Sequence, residues 1–100
     1  MPNLTVSVPH RLPQDEALTR IKELVAQAKA HYSDKTSDLR ESWDGYVGKF
    51  DVSAMGFSAS ANLNVQPSEV TIELTLPFAA IPIRGKIEST VREALTKRLA

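Results

Sequence analysis

From Leu4 to Val8 apolar and polar residues alternate, so Leu4, Val6 and Val8 share one face of a short strand that Pro9 ends. The period then changes. Pro13, followed by Gln14, Asp15 and Glu16, reads as the first turn of a helix, where proline loses no useful donor and acidic groups favour the positive end of the dipole. Ala17, Leu18, Ile21, Leu24, Val25 and Ala28 recur at helical spacing and predict one apolar stripe that fades near Tyr32. Ser33 to Ser37 is a polar connection.

Three turn signals organise the middle of the chain. Asp44-Gly45 is a dipeptide favoured by two-residue hairpin turns, and as the turn centre it sets Trp43 opposite Tyr46, Glu41 opposite Gly48 and Leu39 opposite Phe50. Glu41 intrudes on an apolar face, and Gly48 across the ladder leaves it room to lean outward. A turn at Met55-Gly56 pairs Ala54 with Phe57, Val52 with Ala59 and Phe50 with Ala61. A turn at Pro67-Ser68 pairs Val65 with Val70, Leu63 with Ile72, Ala61 with Leu74 and Ala59 with Leu76. These independent turns converge on one continuous apolar face, with Ser58, Ser60, Asn62 and Asn64 on the other.

The run Pro77 to Ile83 is apolar but broken by two prolines, so it suits neither a helix nor a central strand. From about Arg84 the helical period returns, with Ile83, Ile87, Val91, Leu95 and Leu99 spaced by four. Glu88–Arg92 and Glu93–Lys97 form i,i+4 pairs on the wet side. The order is β-α-β-β-β-β-α. A sheet with one greasy face and two amphipathic helices predicts a single two-layer α+β domain over residues 1–100. Its five-stranded sheet is mainly antiparallel, both helices cover the same face, and the first strand lies antiparallel beside the fifth.

Composition narrows the function classes. Lys+Arg and Asp+Glu number 12 each, which argues against nucleic acid as partner, since phosphate neutralisation needs a basic excess. With no cysteine, disulfides, thiolate nucleophiles and thiolate metal sites are excluded. The first dozen residues lack the basic start and apolar run of a secretory signal, and no stretch approaches the roughly 20 apolar residues of a membrane span. A cytoplasmic location is the expectation, and the oligomeric state stays open.

No Gly-x-Gly-x-x-Gly, P-loop, Gly-x-Ser-x-Gly or paired-carboxylate signature occurs, so no catalytic, cofactor or metal residue is nominated and an enzyme is not expected. His10 and His31 flank the first helix about 30 Å apart at ~1.5 Å per residue, too far to share a metal. Both are expected to be structural or solvated. Trp43 and Tyr46 read as a cross-strand aromatic pair rather than a ligand site. Two features remain as binding candidates. Phe78, Ile81 and Ile83 are expected to close the core, as most such runs do. Exposed, they would instead form an apolar patch beside Arg84, Lys86 and Arg92, suited to a lipid-coated or polymer surface. Gly48, Ala59 and Ala61 are small residues on the inner face that could open a groove for a hydrophobic ligand.

The order of His10 and Leu12 before a helix with Ala17, Trp43 ahead of a hairpin, Phe50, Gly56, the Val70/Ile72/Leu74/Leu76 strand and Pro77-Phe78 leading to Gly85-Lys86-Ile87-Glu88 resembles the polyhydroxyalkanoic acid system proteins encoded near bacterial polyester-granule genes. The resemblance spans nearly the whole chain, and Ala59 stands where the family leads one to expect a larger aliphatic. It implies involvement in polyhydroxyalkanoate storage and carries no catalytic residues. Two expectations follow: a non-enzymatic accessory protein associated with the granule or its protein coat, or a small hydrophobic-ligand carrier. An enzyme acting on hydroxyacyl substrates would need convergent titratable groups in a cleft.

Overall fold

The computed structural model describes residues 3–32, 38–54 and 56–100, and the side chains of all these except residues 31, 32, 38 and 54. The expected polar connection 33–37, Met55 of the second turn and the His31 side chain lie outside the described residues. Strand β1 (Asn3–Pro9) leads to helix α1 (Gln14–Tyr32). Four strands follow: β2 (Asp38–Asp44), β3 (Val47–Ala54), β4 (Phe57–Val65) and β5 (Glu69–Thr75). A 3₁₀ segment (Phe78–Ile83) then feeds helix α2 (Arg84–Leu99). The sheet is antiparallel in the order β1-β5-β4-β3-β2, with β1 beside β5 as its pattern predicts.

Hydrophobic burial concentrates at the β1–β5–β4 side. Val6, Ala17, Ile21, Val65 and Val70 have no exposed surface, and Leu4, Val8, Leu63, Leu76, Leu95 and Leu99 complete the core. Helix α2 packs mainly over β1, and α1 comes closest to β4. Arg84 and Arg92 of α2 donate to the carbonyls of Asn3 and Ser7 (3.3 and 3.2 Å), occupying acceptors along an edge strand that could otherwise recruit a further strand. Arg20 of α1 donates to the carbonyls of Arg98 and Ala100 at the end of α2 (3.1 and 2.9 Å), satisfying acceptors that a helix leaves orphaned.

Register departs from expectation at one hairpin. The turn centres on Gly45-Tyr46, not Asp44-Gly45, so Asp44 pairs with Val47, Trp43 with Gly48, Glu41 with Phe50 and Leu39 with Val52. Gly45 holds the positive φ, 59°, that a tight hairpin turn requires. Sliding the turn by one residue shifts each pair by two, the side-chain period of a strand, so every inner-face residue stays inside. Packing selects this register because the Trp43 indole lies over Gly48, where no side chain obstructs it. The other two hairpins keep the expected pairs, with Phe50 opposite Ala61, Leu63 opposite Ile72 and Val65 opposite Val70. Ladder β4–β5 ends at Ser60–Thr75, one pair short of the expected Ala59–Leu76.

Candidate functional site

Burial along α1 decays from its start. Ala17 and Ile21 are buried, Leu18, Leu24 and Val25 are half-buried, and Ala28 is exposed. Helix α2 lies over the β1 edge of the sheet, so the later turns of α1 have no second helix beside them over β2 and β3. Beneath these turns lies an open hollow of about 320 Å³. Val25 and Ala28 form its roof, with Leu39, Phe50, Val52, Ala61, Leu63 and Ile72 as floor and walls. Lys29 is the one charged residue among the lining side chains.

The rim of this hollow is tied by a polar cluster that sequence patterning does not reveal. Glu41, expected to lean outward, turns inward toward α1. Its backbone is on the exposed edge strand, yet its side chain is only 21% exposed. One carboxylate oxygen accepts from Lys29 Nζ and the other from Trp43 Nε1, both at 2.7 Å. The Lys29 hydrogen bond, reinforced by Trp43, holds the Glu41 carboxyl below the usual carboxylate range. Lys22 lies over the Trp43 ring, 5.1 Å from its centroid, and Phe50 meets the indole edge-on with centroids 5.7 Å apart. Trp43 thus carries Lys22 on its ring and is linked through Glu41 to Lys29. Only the i,i+3 and i,i+4 spacing of Lys22, Val25 and Lys29 hints in sequence that these residues share a helix face.

Tyr46, expected to face Trp43, sits in the turn, and its hydroxyl donates to Asp15 in the first turn of α1. That hydrogen bond raises the phenol above its ordinary range. The three proposed groove residues separate. Ala61 lines the hollow, whereas the space above Gly48 is filled by the indole: a Cβ there would lie 2.9 Å from two Trp43 ring carbons. Ala59 borders a different depression of about 390 Å³, where Arg40, Asp51, Ser53, Ser58, Ser60 and Thr75 supply polar walls.

The Phe78–Ile83 segment also corrects an expectation. It does not close the core: Phe78, Ile81 and Ile83 are 68%, 49% and 54% exposed. In a 3₁₀ turn residues three apart eclipse one another, so Phe78 and Ile81 project together while Ala80 packs inward. The leucines before and after the segment, Leu76, Leu95 and Leu99, are buried in the core instead. Arg84 and Lys86 are exposed beside the patch, although Arg84 also reaches back to β1. Phe57, at 54% exposure, is a further apolar side chain that alternation placed on the inner face.

His10 is 7% exposed and fully occupied. Its Nδ1 accepts from the Leu12 N–H (3.1 Å) and its Nε2 donates to the Gln66 carbonyl (2.9 Å), while its own N–H bonds the Ser68 carbonyl at 2.8 Å. It joins the end of β1 to the β4–β5 turn. Among the described residues no group of three or more His, Asp or Glu side chains could hold a metal ion, and no helix is long and apolar enough to cross a membrane.

Comparison with known proteins supplies the context. The family model described as "Putative polyhydroxyalkanoic acid system protein" matches residues 4–99. No curated protein matches the chain. Among solved structures, the crystal structure of Ara h 8.0201 is similar with a TM-score of 0.55 at 7% identity, over 98% of this chain and 97% of that one. At that identity the likeness speaks for the fold alone.

Proposed function

The chain belongs to the polyhydroxyalkanoic acid system family, and from that premise we propose that it is a non-enzymatic, cytoplasmic accessory protein of polyhydroxyalkanoate storage that attaches to the granule or its protein coat. The observation that carries this reading is the exposed apolar trio Phe78, Ile81 and Ile83 beside Arg84 and Lys86. Apolar surface that the fold leaves in water gains about 25 cal/mol per Å² when covered. A patch of about 200–300 Å² offers weak, reversible attachment after the costs of association. Cosedimentation with isolated granules tests it. Attachment persists at high salt, because apolar burial is not screened, and falls sharply in a Phe78→Ser/Ile81→Ser variant that retains its fold. Attachment abolished by moderate salt, or unchanged in that variant, would refute the proposal and point to a charged partner.

The hollow beneath α1 favours a second reading, a carrier of small hydrophobic ligands. Its volume of about 320 Å³ falls at the lower end of ligand-binding cavities, roughly 300–1,000 Å³. Its lining is aliphatic apart from Phe50 and Lys29.

A further inference from the structure

We infer that the hollow beneath α1 binds a single-chain carboxylate, with the hydrocarbon tail among Val25, Leu39, Phe50, Ala61 and Ile72 and the carboxylate against Lys29. The inference rests on the carrier reading and names the ligand class for that site. Three observations carry it. First, the interior offers no polar side chain to a ligand, so what enters must be hydrocarbon. Second, the volume is about twice the ~150 Å³ that holds a benzene molecule, room for a chain of roughly eight to twelve carbons. Third, the one charged side chain in the lining is a lysine, Lys29, whose ammonium is the natural partner of an anionic headgroup.

The Lys29–Glu41 pair does not block this use. The ammonium carries three donors, and the hydrogen bond to Glu41 takes one. A ligand carboxylate can therefore join Glu41 on the same nitrogen, or displace it while Trp43 Nε1 retains its other oxygen. At the mouth of the hollow Lys29 is 46% exposed, so a headgroup reaches it without entering the apolar interior. A neutral headgroup gains less than a carboxylate from the ammonium, and each further acidic group adds repulsion from Glu41 without a second cation in the lining to meet it, which favours a monocarboxylate.

Trp43 is the single tryptophan of the chain, and its ring meets Phe50, a wall of the hollow. Its fluorescence therefore reports occupancy. The test titrates the whole chain with decanoate and, in parallel, with 1-decanol, following Trp43 emission and heat by calorimetry. Both probes bind, decanoate about fivefold to tenfold more tightly, the scale of one partly exposed charge-assisted hydrogen bond. Lys29→Gln removes that preference, so that the two probes bind within about twofold of each other. Ala61→Phe fills the floor and abolishes binding of both; Ala28→Phe, at an exposed helix position, does the same from the roof if the first variant fails to fold. Decanol binding equal to decanoate, or a preference unchanged in Lys29→Gln, overturns the inference and leaves the carrier reading standing. Failure of both probes to bind overturns both.

Discussion

Gly48→Ala adds one methyl group at the place where the Trp43 indole crosses the sheet. The new Cβ would stand 2.9 Å from Trp43 Cη2 and Cζ3 and 3.0 Å from Phe50 Cε2, closer than carbon atoms approach, so the rings must move. Trp43, met at two ring carbons, must move the more, and Phe50 must give by a few tenths of an ångström. Moving the indole weakens the hydrogen bond to Glu41, worth about 1.5 kcal/mol as a bond to a charged acceptor. It also weakens the edge-on contact with Phe50, worth about 0.5–1.5 kcal/mol. Residual overpacking adds about 1 kcal/mol, the low end for a site that can relax outward. Against this, alanine is less costly than glycine inside a strand by about 0.5–1 kcal/mol. The balance is a loss of about 2–3.5 kcal/mol, a fall in Tm of roughly 10–17 °C for a domain of this size. Thermal melts followed by circular dichroism and Trp43 emission measure it. The control is a double-mutant cycle with Trp43→Phe, whose shorter ring stops short of the new methyl. In that background only the contact with Phe50 remains, so Gly48→Ala costs about 1 kcal/mol or less, and the coupling is about 1 kcal/mol or more. An unchanged or raised Tm, or an equal cost in both backgrounds, would refute the register and the packing described.

Glu41→Gln removes the ion pair to Lys29 but can keep an acceptor for Trp43, so it costs about 0.5–1 kcal/mol at neutral pH. Because the folded state holds Glu41 below the usual carboxylate range, its contribution is complete above about pH 4.3 and fades as pH falls further. Urea titrations of the two proteins converge in acid; a constant gap down to pH 3 counts against the ion pair. His10→Ala leaves the half-buried Gln66 carbonyl and Leu12 N–H without their partner and costs about 1–2 kcal/mol, measured as a shift in urea midpoint at constant slope. A cost below about 0.5 kcal/mol would show that water replaces the imidazole.

Much of the fold was legible because local chemistry and side-chain period agree. Alternation in Leu4–Val8 and Phe57–Val65 marked two strands, and their buried faces except at Phe57. The β3–β4 and β4–β5 turns fixed the registers of three strands, and the four-residue spacing from Ile87 to Leu99 set the buried stripe of α2. The binding candidates were less legible, since exposure is a property of what covers a residue. Phe78 and Ile81 carry the same apolar signal as Leu95 and Leu99, yet the former project from a 3₁₀ turn while the latter fill the core. Gly48 and Ala61 look alike as small inner-face residues, yet an indole covers one and a hollow opens over the other.

The sequence by itself determined the element order and the single apolar face of the sheet, because each follows from short-range periodicity; the place of β1 beside β5 was an expectation that the tertiary pairing settled. Only the tertiary structure decided the β2–β3 register, the inward turn of Glu41 and the hollow under α1. The β2–β3 slip preserves face parity, so the pattern of apolar and polar positions is blind to it, and the choice falls to the fit of Trp43 over Gly48. Glu41 turns inward because Lys29, twelve residues earlier, stands over it from α1. The hollow exists because both helices lie closest to the β1–β5–β4 side, leaving the inner faces of β2 and β3 beneath side chains too small or too short to fill the gap.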